Sequence, residues 1–226
     1  MIGPFVNLVL VAHDCDCAAR VNDIPLAAGR RGFHRAVAVP LAEYLLAGRN
    51  RLDLTVAGGE GAPPEGAEVH ARVALYAEGE VLAPEGGQAL ATLRPALSPG
   101  RGVQVGADFA VPPGAVPAEP WAWARAPRLE GAVTRADLDA YAMQLVQAFA
   151  ARDAAALLAE FAPAMADRLR AYPAVAPEDA RGAFLAQFDG IDDWVPMPAG
   201  PGDIVWRPAA GGRLAEALGR DGRPLL

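Results

Sequence analysis

The densest group of residues that could bind a metal or carry redox chemistry is His13-Asp14-Cys15-Asp16-Cys17. Imidazole, carboxylate and thiolate groups all coordinate metal ions. Zinc sites normally use a Cys-x2–4-Cys spacing, however, whereas a single residue separates these two cysteines. The remaining histidines, His34 and His70, lie on other predicted strands, and nothing in their spacing requires convergence. The pattern therefore favours a turn at a strand end, and we assign no metal site and no cofactor.

Other motifs for catalysis are weak. The single serine, Ser98, lies in a Pro-Gly loop without the Gly-x-Ser-x-Gly motif of a nucleophile elbow. No phosphate-binding glycine loop follows a predicted strand. The acidic pairs Glu178-Asp179 and Asp192-Asp193 are adjacent in sequence, so their side chains point apart instead of acting on one bond. We assign no catalytic residue.

The length and composition of the chain are those of a globular protein. It has 226 residues, of which 53% are hydrophobic and 21% charged, enough for one large domain or two small ones. All 20 basic residues are arginine, and they do not cluster: residues 1–115 carry 9 against 12 acids and residues 116–226 carry 11 against 15. Neither half offers a basic face, so we expect no nucleic-acid or membrane partner.

The cellular location is expected to be the cytoplasm of a bacterium. The sequence has no apolar run of about 18 residues that could span a bilayer. It starts without the basic segment and cleavage site of a signal peptide, and two cysteines are too few for a disulfide scaffold.

Residues 1–112 show short apolar runs between Gly, Pro, Asp and Asn, often with alternation at period two. Such spacing of six to eight strands predicts an antiparallel β-sandwich domain. The predicted strands are Phe5–Val11, Cys17–Val21, Phe33–Val39, Arg51–Val56, Val69–Tyr76, Val103–Val105 and Phe109–Val111.

One part of this region has a more specific order. A strand, the turn Asn22-Asp23 and a short return over residues 24–26 are followed by a short helical stretch, then Gly48-Arg49-Asn50 and the strand Leu52–Val56. Gly48 is suited to end a helical turn with a positive φ, and Asn50 can bond to the turn backbone. This order resembles the galactose-binding-like, jelly-roll accessory domains, except that Asp23 stands where they have Gly. The resemblance covers about 40 residues and implies a fold, since such domains often bind no sugar.

Residues 113–130 are rich in proline and predict an extended, semi-rigid connector. Trp121 and Trp123 lie in it, two residues apart, so that in an extended chain both indoles would project to the same side. Two exposed indoles would form a sizeable apolar patch. We therefore expect them to seal the interface between the two halves, or alternatively to meet a protein partner.

Residues 131–226 change to a helical period and predict an α+β domain. Thr134 with Asp137 is a helix N-cap signal, Asp153 caps a second helix that Pro163 interrupts, and Pro177 opens a third. Strands follow at about residues 203–207 and 213–218. The chain order predicts three helices and then a small sheet.

The segment Gln147–Pro163, with Arg152-Asp153 between two helices and Phe161-Ala162 at the end of the second, resembles the NTF2-like (cystatin-like α+β cone) superfamily. The resemblance implies a cone-shaped pocket, and Tyr141, expected to face inward, is its one candidate polar group. The residues expected to line this pocket are Tyr141, Leu145, Phe149, Phe161, Phe184, Phe188 and Trp206.

Three functions remain open from the sequence. The preferred hypothesis is a two-domain binding protein without catalytic activity, which recognises a protein partner or a small apolar ligand. The alternative is a hydrolase or isomerase that uses the cone pocket, which would need at least two titratable groups there. A further alternative is a carbohydrate-binding module, which would need exposed aromatic side chains on the sandwich. Oligomeric state is not indicated.

Overall fold

Two units with different secondary structure make up the chain. In the computed structural model, residues 5–58, 65–117, 119–186, 200–220 and 222 are described. The units are Met1–Pro120, which is built from antiparallel strands, and Trp121–Leu226, which combines helices with a small sheet. The mixed α+β class with antiparallel sheets, expected from the sequence, is confirmed.

Unit 1 contains two four-stranded sheets in which all the pairings are antiparallel. Their strand orders are β4-β1-β6-β7 and β3-β2-β5-β8. The strands are β1 (Phe5–His13), β2 (Cys17–Val21), β3 (Ile24–Gly29), β4 (His34–Pro40), β5 (Arg49–Val56), β6 (Glu68–Tyr76), β7 (Gln88–Leu93) and β8 (Val103–Ala110).

The core of unit 1 lies between its two sheets. Strand β1 contributes Leu8 and Leu10, and β5 contributes Leu52 and Leu54, all without solvent exposure. On β5 these residues alternate with more exposed ones, as the period of a half-buried strand requires. Burial of each leucine stabilises the fold by about 1.5–3 kcal/mol. All the residues of this core belong to unit 1, so the sandwich has a core of its own.

Two turns of unit 1 have the backbone conformations that the sequence predicts: the turn between β2 and β3, and the turn just before β5. Asn22 and Asp23 both have positive φ, 52° and 65°, as in the primed turn of a two-residue hairpin. Gly48 has a φ of 98°, and Asn50 Nδ2 donates to the Gly48 carbonyl. The expected left-handed glycine and the bond from Asn50 to the turn backbone are therefore present.

Two features of unit 1 differ from the sequence analysis. Strand β7 was not predicted, because Gln88–Leu93 lacks β-branched residues except Thr92. The two short runs at 103–105 and 109–111 form the single strand β8, Val103–Ala110. Gly106 lies within it, where an added Cβ would collide with the side chains of Arg51 and Asp53. The glycine therefore leaves room for side chains of the neighbouring strand.

Unit 2 begins with a short helix, α1 (Ala122–Arg125), in the segment predicted to be an extended connector. That expectation is therefore wrong for these four residues. None of them is proline, so a short helix can form shortly after Pro120. The main helices are α2 (Arg135–Ala150), α3 (Ala154–Glu160), α4 (Ala162–Ala171) and α5 (Pro177–Ala186).

The helix boundaries follow local capping. Thr134 and Asp137 form a complete capping box at the start of α2, and Asp153 accepts from the N–H of Ala156 at the start of α3. Phe161 separates α3 from α4, and Pro163 lies in the first turn of α4, where its missing N–H costs nothing. The caps at Thr134 and Asp153 agree with those expected from the sequence. The single second helix that was expected forms two helices, α3 and α4, so the prediction of three helices is wrong.

The sheet of unit 2, within the described residues, has two antiparallel strands, β9 (Val205–Ala209) and β10 (Leu214–Leu218). Trp206 Nε1 donates to Asp139 on α2 at 2.7 Å, and Arg135 donates to the carbonyl of Ile204 at 2.6 Å. These bonds hold the start of β9 against the first two turns of α2. Among the described residues no helix has the length and apolar character to cross a bilayer.

Candidate functional site

Three of the predicted pocket residues come together in unit 2. The ring centroids of Phe149 and Phe161 are 6.3 Å apart and those of Phe161 and Phe184 are 5.3 Å apart. All three side chains are half-buried. They come from the end of α2, the α3–α4 junction and α5, so four helices meet at the cluster. We call these three residues the aromatic cluster.

The remaining apolar pocket candidates lie in other positions. Leu145 is buried on α2, one turn before Phe149, and therefore on the same face of the helix. Trp206 hydrogen-bonds to Asp139, ten residues before Phe149, which corresponds to about 15 Å along the helix axis. Phe188 lies outside the described residues. The structure thus brings together part of the predicted set, centred on Phe161.

Tyr141 does not face inward as expected. Its side chain is 45% exposed, and its hydroxyl donates to Glu160 Oε2 at 3.1 Å, so it links α2 to α3 at the surface. Partial burial, together with the bond and the negative charge of Glu160, raises the pKa of Tyr141. The phenol therefore stays protonated near pH 7. The helical spacing that suggested a buried stripe did not account for a polar partner on the next helix.

Trp121 and Trp123 have different environments. Trp121 is 1% exposed, and the guanidinium carbon of Arg170 lies 4.8 Å from the centroid of its ring. Asp167 accepts from the N–H of Ala122 at 2.6 Å and pairs with Arg170 at 3.2 Å, so α4 fastens the start of α1. Trp123 is half-buried. The expectation that both indoles project to one side assumed an extended chain, whereas Trp123 lies within α1. The role of the two residues at an interface or partner surface stays a prediction.

The His13–Cys17 segment joins β1 to β2, and its carboxylates bind backbone. Asp14 Oδ1 accepts from the N–H of Gly32 at 2.6 Å, and Asp16 Oδ1 accepts from the N–H of Arg31 at 3.2 Å. Both bonds reach the turn that precedes β4. The two aspartates of this segment therefore fix the position of a neighbouring turn, in agreement with the turn interpretation.

The two thiols of the same segment are buried. Cys15 Sγ donates to the carbonyl of Glu68 at 3.5 Å. Cys17 packs so closely that a Cβ at Gly29 would lie 2.8 Å from its sulfur. Desolvation raises the pKa of Cys15 and raises that of Cys17 to about 12. Because the thiolate is the reactive form, neither thiol is activated. Within the described ranges, no group of three or more His, Cys, Asp and Glu side chains could hold a metal ion.

A buried polar group on β6 was missed by the sequence analysis. His70 is 4% exposed, lies 3.5 Å from Arg94 and 3.7 Å from Glu85, and its pKa is lowered by desolvation and by the charge of Arg94.

Arg72, on the same strand, is also buried. It donates to the carbonyls of Gly86 and Gly87, the latter at 2.8 Å. Arginine is seldom buried, and no local pattern signals that its partners are carbonyls of the loop before β7.

The sandwich displays little aromatic surface. Of its five aromatic side chains, Tyr76 and Phe109 are buried, Phe5 and Tyr44 are half-buried, and only Phe33 is exposed, at 67%. Comparison with protein-family models, with curated proteins and with solved structures finds no match for the chain.

Proposed function

We propose that the chain is a binding protein without catalytic activity, and that the aromatic cluster of unit 2 receives an apolar group of a protein partner or a small ligand. The observation that supports this proposal is the contact of three half-buried phenyl rings contributed by α2, the α3–α4 junction and α5. A ring that is not fully buried retains part of the 150–250 Å² that its complete burial would remove from water. A second apolar surface placed on the cluster would gain that remaining area.

The titratable groups of the described residues favour binding over the alternative of a hydrolase or isomerase. Such an enzyme needs two groups that converge on one bond. The pair that includes the predicted pocket residue Tyr141, namely Tyr141 and Glu160, hydrogen-bonds at the surface, and the phenol has a raised pKa. A neutral, exposed phenol that already donates to a carboxylate is a poor base.

Both family resemblances belong to the proposal, but the galactose-binding-like resemblance of unit 1 has more support than the NTF2-like resemblance of unit 2. The Asn22-Asp23 turn and the bonds of Asn50 support a galactose-binding-like arrangement for the sandwich. The NTF2-like resemblance of unit 2 has less support, because the sheet of its described residues has only β9 and β10. A carbohydrate-binding role has the single exposed ring of Phe33 in its favour.

Binding of a fluorescent apolar probe tests the proposal directly. The full chain is titrated with 1-anilinonaphthalene-8-sulfonate under native conditions, and we expect saturable binding. Phe161→Ser removes the central ring of the cluster and should weaken binding, since the other two phenylalanines both contact that ring. Phe33→Ser is the matched control because it removes an exposed ring in the other unit.

The outcome is read together with circular dichroism, which verifies that each variant keeps its helices. Native protein without saturable binding would contradict the proposal, as would binding that Phe161→Ser leaves unchanged. If Phe33→Ser alone abolished binding, the site would lie on the sandwich instead.

A further inference from the structure

Two of the three histidines of the chain are directly opposite each other on neighbouring strands. His13 on β1 pairs with His34 on β4 in the antiparallel register. The next pair, Asp14 and Phe33, is joined by a bond from the N–H of Asp14 to the Phe33 carbonyl, 3.0 Å long. Since bonded and non-bonded pairs alternate along an antiparallel ladder, His13 and His34 form a non-bonded pair, in which side chains approach most closely.

The two imidazoles have the separation that a shared metal ion requires. Their ring centroids are 5.4 Å apart with an interplanar angle of 72°, and both side chains are exposed. Ring nitrogens bind late transition metals at about 2.0–2.1 Å, which places two imidazole centroids around one ion about 5 Å apart.

The tautomer of His13 also suits a ligand. Its Nδ1 lies 3.0 Å from the carbonyl oxygen of Gly66. A carbonyl can only accept, so in the neutral imidazole Nδ1 carries the proton and Nε2 keeps its lone pair. Histidines that bind metals commonly have this arrangement, in which the second ring nitrogen donates to a carbonyl or carboxylate.

We propose that His13 and His34 form a surface site for a divalent late transition-metal ion such as Zn²⁺, with water in the remaining coordination positions. The chain contributes two ligands, which is consistent with the finding that no group of three or more ligand side chains occurs among the described residues. Imidazole nitrogen is a ligand suited to Zn, Ni and Cu, whereas Mg and Ca prefer oxygen.

The backbone on both sides of the pair is held in place. Asp14 and Asp16 accept from the N–H groups of Gly32 and Arg31, and this turn leads directly into His34. The β4 strand therefore starts at a fixed position relative to the end of β1. Holding both ligands in advance reduces the entropy that metal binding would cost.

Three other possible metal ligands of unit 1, Cys15, Cys17 and His70, are less suited to bind an ion. Cys15 and Cys17 are buried with raised pKa values, and a thiol must lose its proton before it binds a metal. His70 lies on the same face of the sheet but is buried and sits 3.5 Å from the Arg94 guanidinium, whose charge repels a cation. These residues provide the controls.

Isothermal titration calorimetry of the full chain with Zn²⁺ tests the site. We expect one ion per chain, and a loss of affinity of about tenfold or more in His13→Ala and in His34→Ala, since loss even of a group that only supports a ligand costs 10–100-fold. His70→Gln and Cys17→Ser should bind as the unaltered chain does. Thermal unfolding should show a Zn²⁺-dependent rise in Tm that both alanine variants lack.

Three results would overturn the proposal. They are the absence of measurable Zn²⁺ binding to the folded chain, binding that survives in both His13→Ala and His34→Ala, and binding that Cys17→Ser or His70→Gln abolishes while the alanine variants retain it. Circular dichroism of each variant verifies that it is folded, so a lost site is not confused with an unfolded sandwich.

Discussion

Asn22 Nδ2 donates to Asn50 Oδ1 at 2.8 Å, although the two residues are 28 positions apart in the chain. Asn50 is 1% exposed, and its Oδ1 also accepts from the N–H of Leu46 at 2.7 Å. Its Nδ2 donates to the carbonyls of Leu46 and Gly48. A single amide side chain thus connects the β2–β3 turn to the loop before β5.

Asn50→Ala should therefore lower the stability of unit 1. The change leaves buried donors and acceptors without partners, each at about 1–3 kcal/mol, so we expect a loss of about 2–4 kcal/mol in the free energy of unfolding. Urea unfolding followed by circular dichroism measures it. Gln104→Ala, on an exposed position of β8, is the control and should change stability by less than about 0.5 kcal/mol. Equal effects of the two substitutions would contradict the structural role of Asn50.

The thiols should be unreactive in the folded chain. Burial raises the pKa of Cys17 to about 12, so almost no Cys17 thiolate is present at pH 8, and burial also raises the pKa of Cys15. We expect no rapid reaction with 5,5′-dithiobis(2-nitrobenzoic acid) under native conditions and two reactive thiols per chain in 6 M guanidinium chloride. Fast modification of either cysteine in the folded chain would show an accessible, activated thiol instead.

His70 should make the sandwich sensitive to mild acid. Its folded pKa is lowered below the ordinary value of 6.5 by desolvation and by Arg94. The unfolded chain therefore binds a proton at a higher pH than the folded chain does. Stability associated with His70 is fully present above about pH 6.5 and is lost as the pH falls through the lower, folded pKa.

His70→Gln should flatten this part of the pH profile. The variant cannot take up the proton, so the fall in free energy of unfolding between pH 7 and pH 5.5 should become smaller, as measured by urea unfolding at each pH. Gln104→Gly on β8 serves as a non-titrating comparison. An unchanged slope in His70→Gln would show that other groups cause the acid sensitivity.

The two tryptophans of residues 121 and 123 should differ in their contribution to stability. Trp121 is buried beneath Arg170, and Trp121→Ala should cost about 3–5 kcal/mol. Trp123 is half-buried, and Trp123→Ala should cost about half as much or less. Chemical unfolding of both variants measures the difference. A larger loss of unfolding free energy in Trp123→Ala than in Trp121→Ala would contradict the prediction that the more buried ring contributes more to stability.

Local signals in the sequence predicted most of the elements. Thr134 with Asp137, Asp153 and Pro163 marked helix boundaries because capping depends on residues within one turn. Alternation in Arg51–Val56 predicted a strand of the sandwich because burial of one face leaves a period of two.

The candidate sites were harder to predict because they depend on pairing between distant strands and helices. The aromatic cluster was anticipated in part, since Phe149, Phe161 and Phe184 lie on apolar helix faces. The exposure of Tyr141 depends on Glu160 of the next helix, and the contact of His13 with His34 depends on the register of β1 and β4. No spacing within one segment encodes such a register.

The central place of β1 in its sheet has a consequence for folding during synthesis. Its neighbour β6 follows much later in the chain, with His13 paired to Glu68 and Phe5 to Tyr76, separations of 55 and 71 residues. At about 5–20 residues per second, β1 waits about 3–14 s for that partner. Phe5–Val11 carries no charge and no proline and is rich in valine and leucine, the composition of segments that assemble between chains. Until β6 emerges, the edge of β1 that pairs with β6 has no partner from its own chain and can pair with another chain.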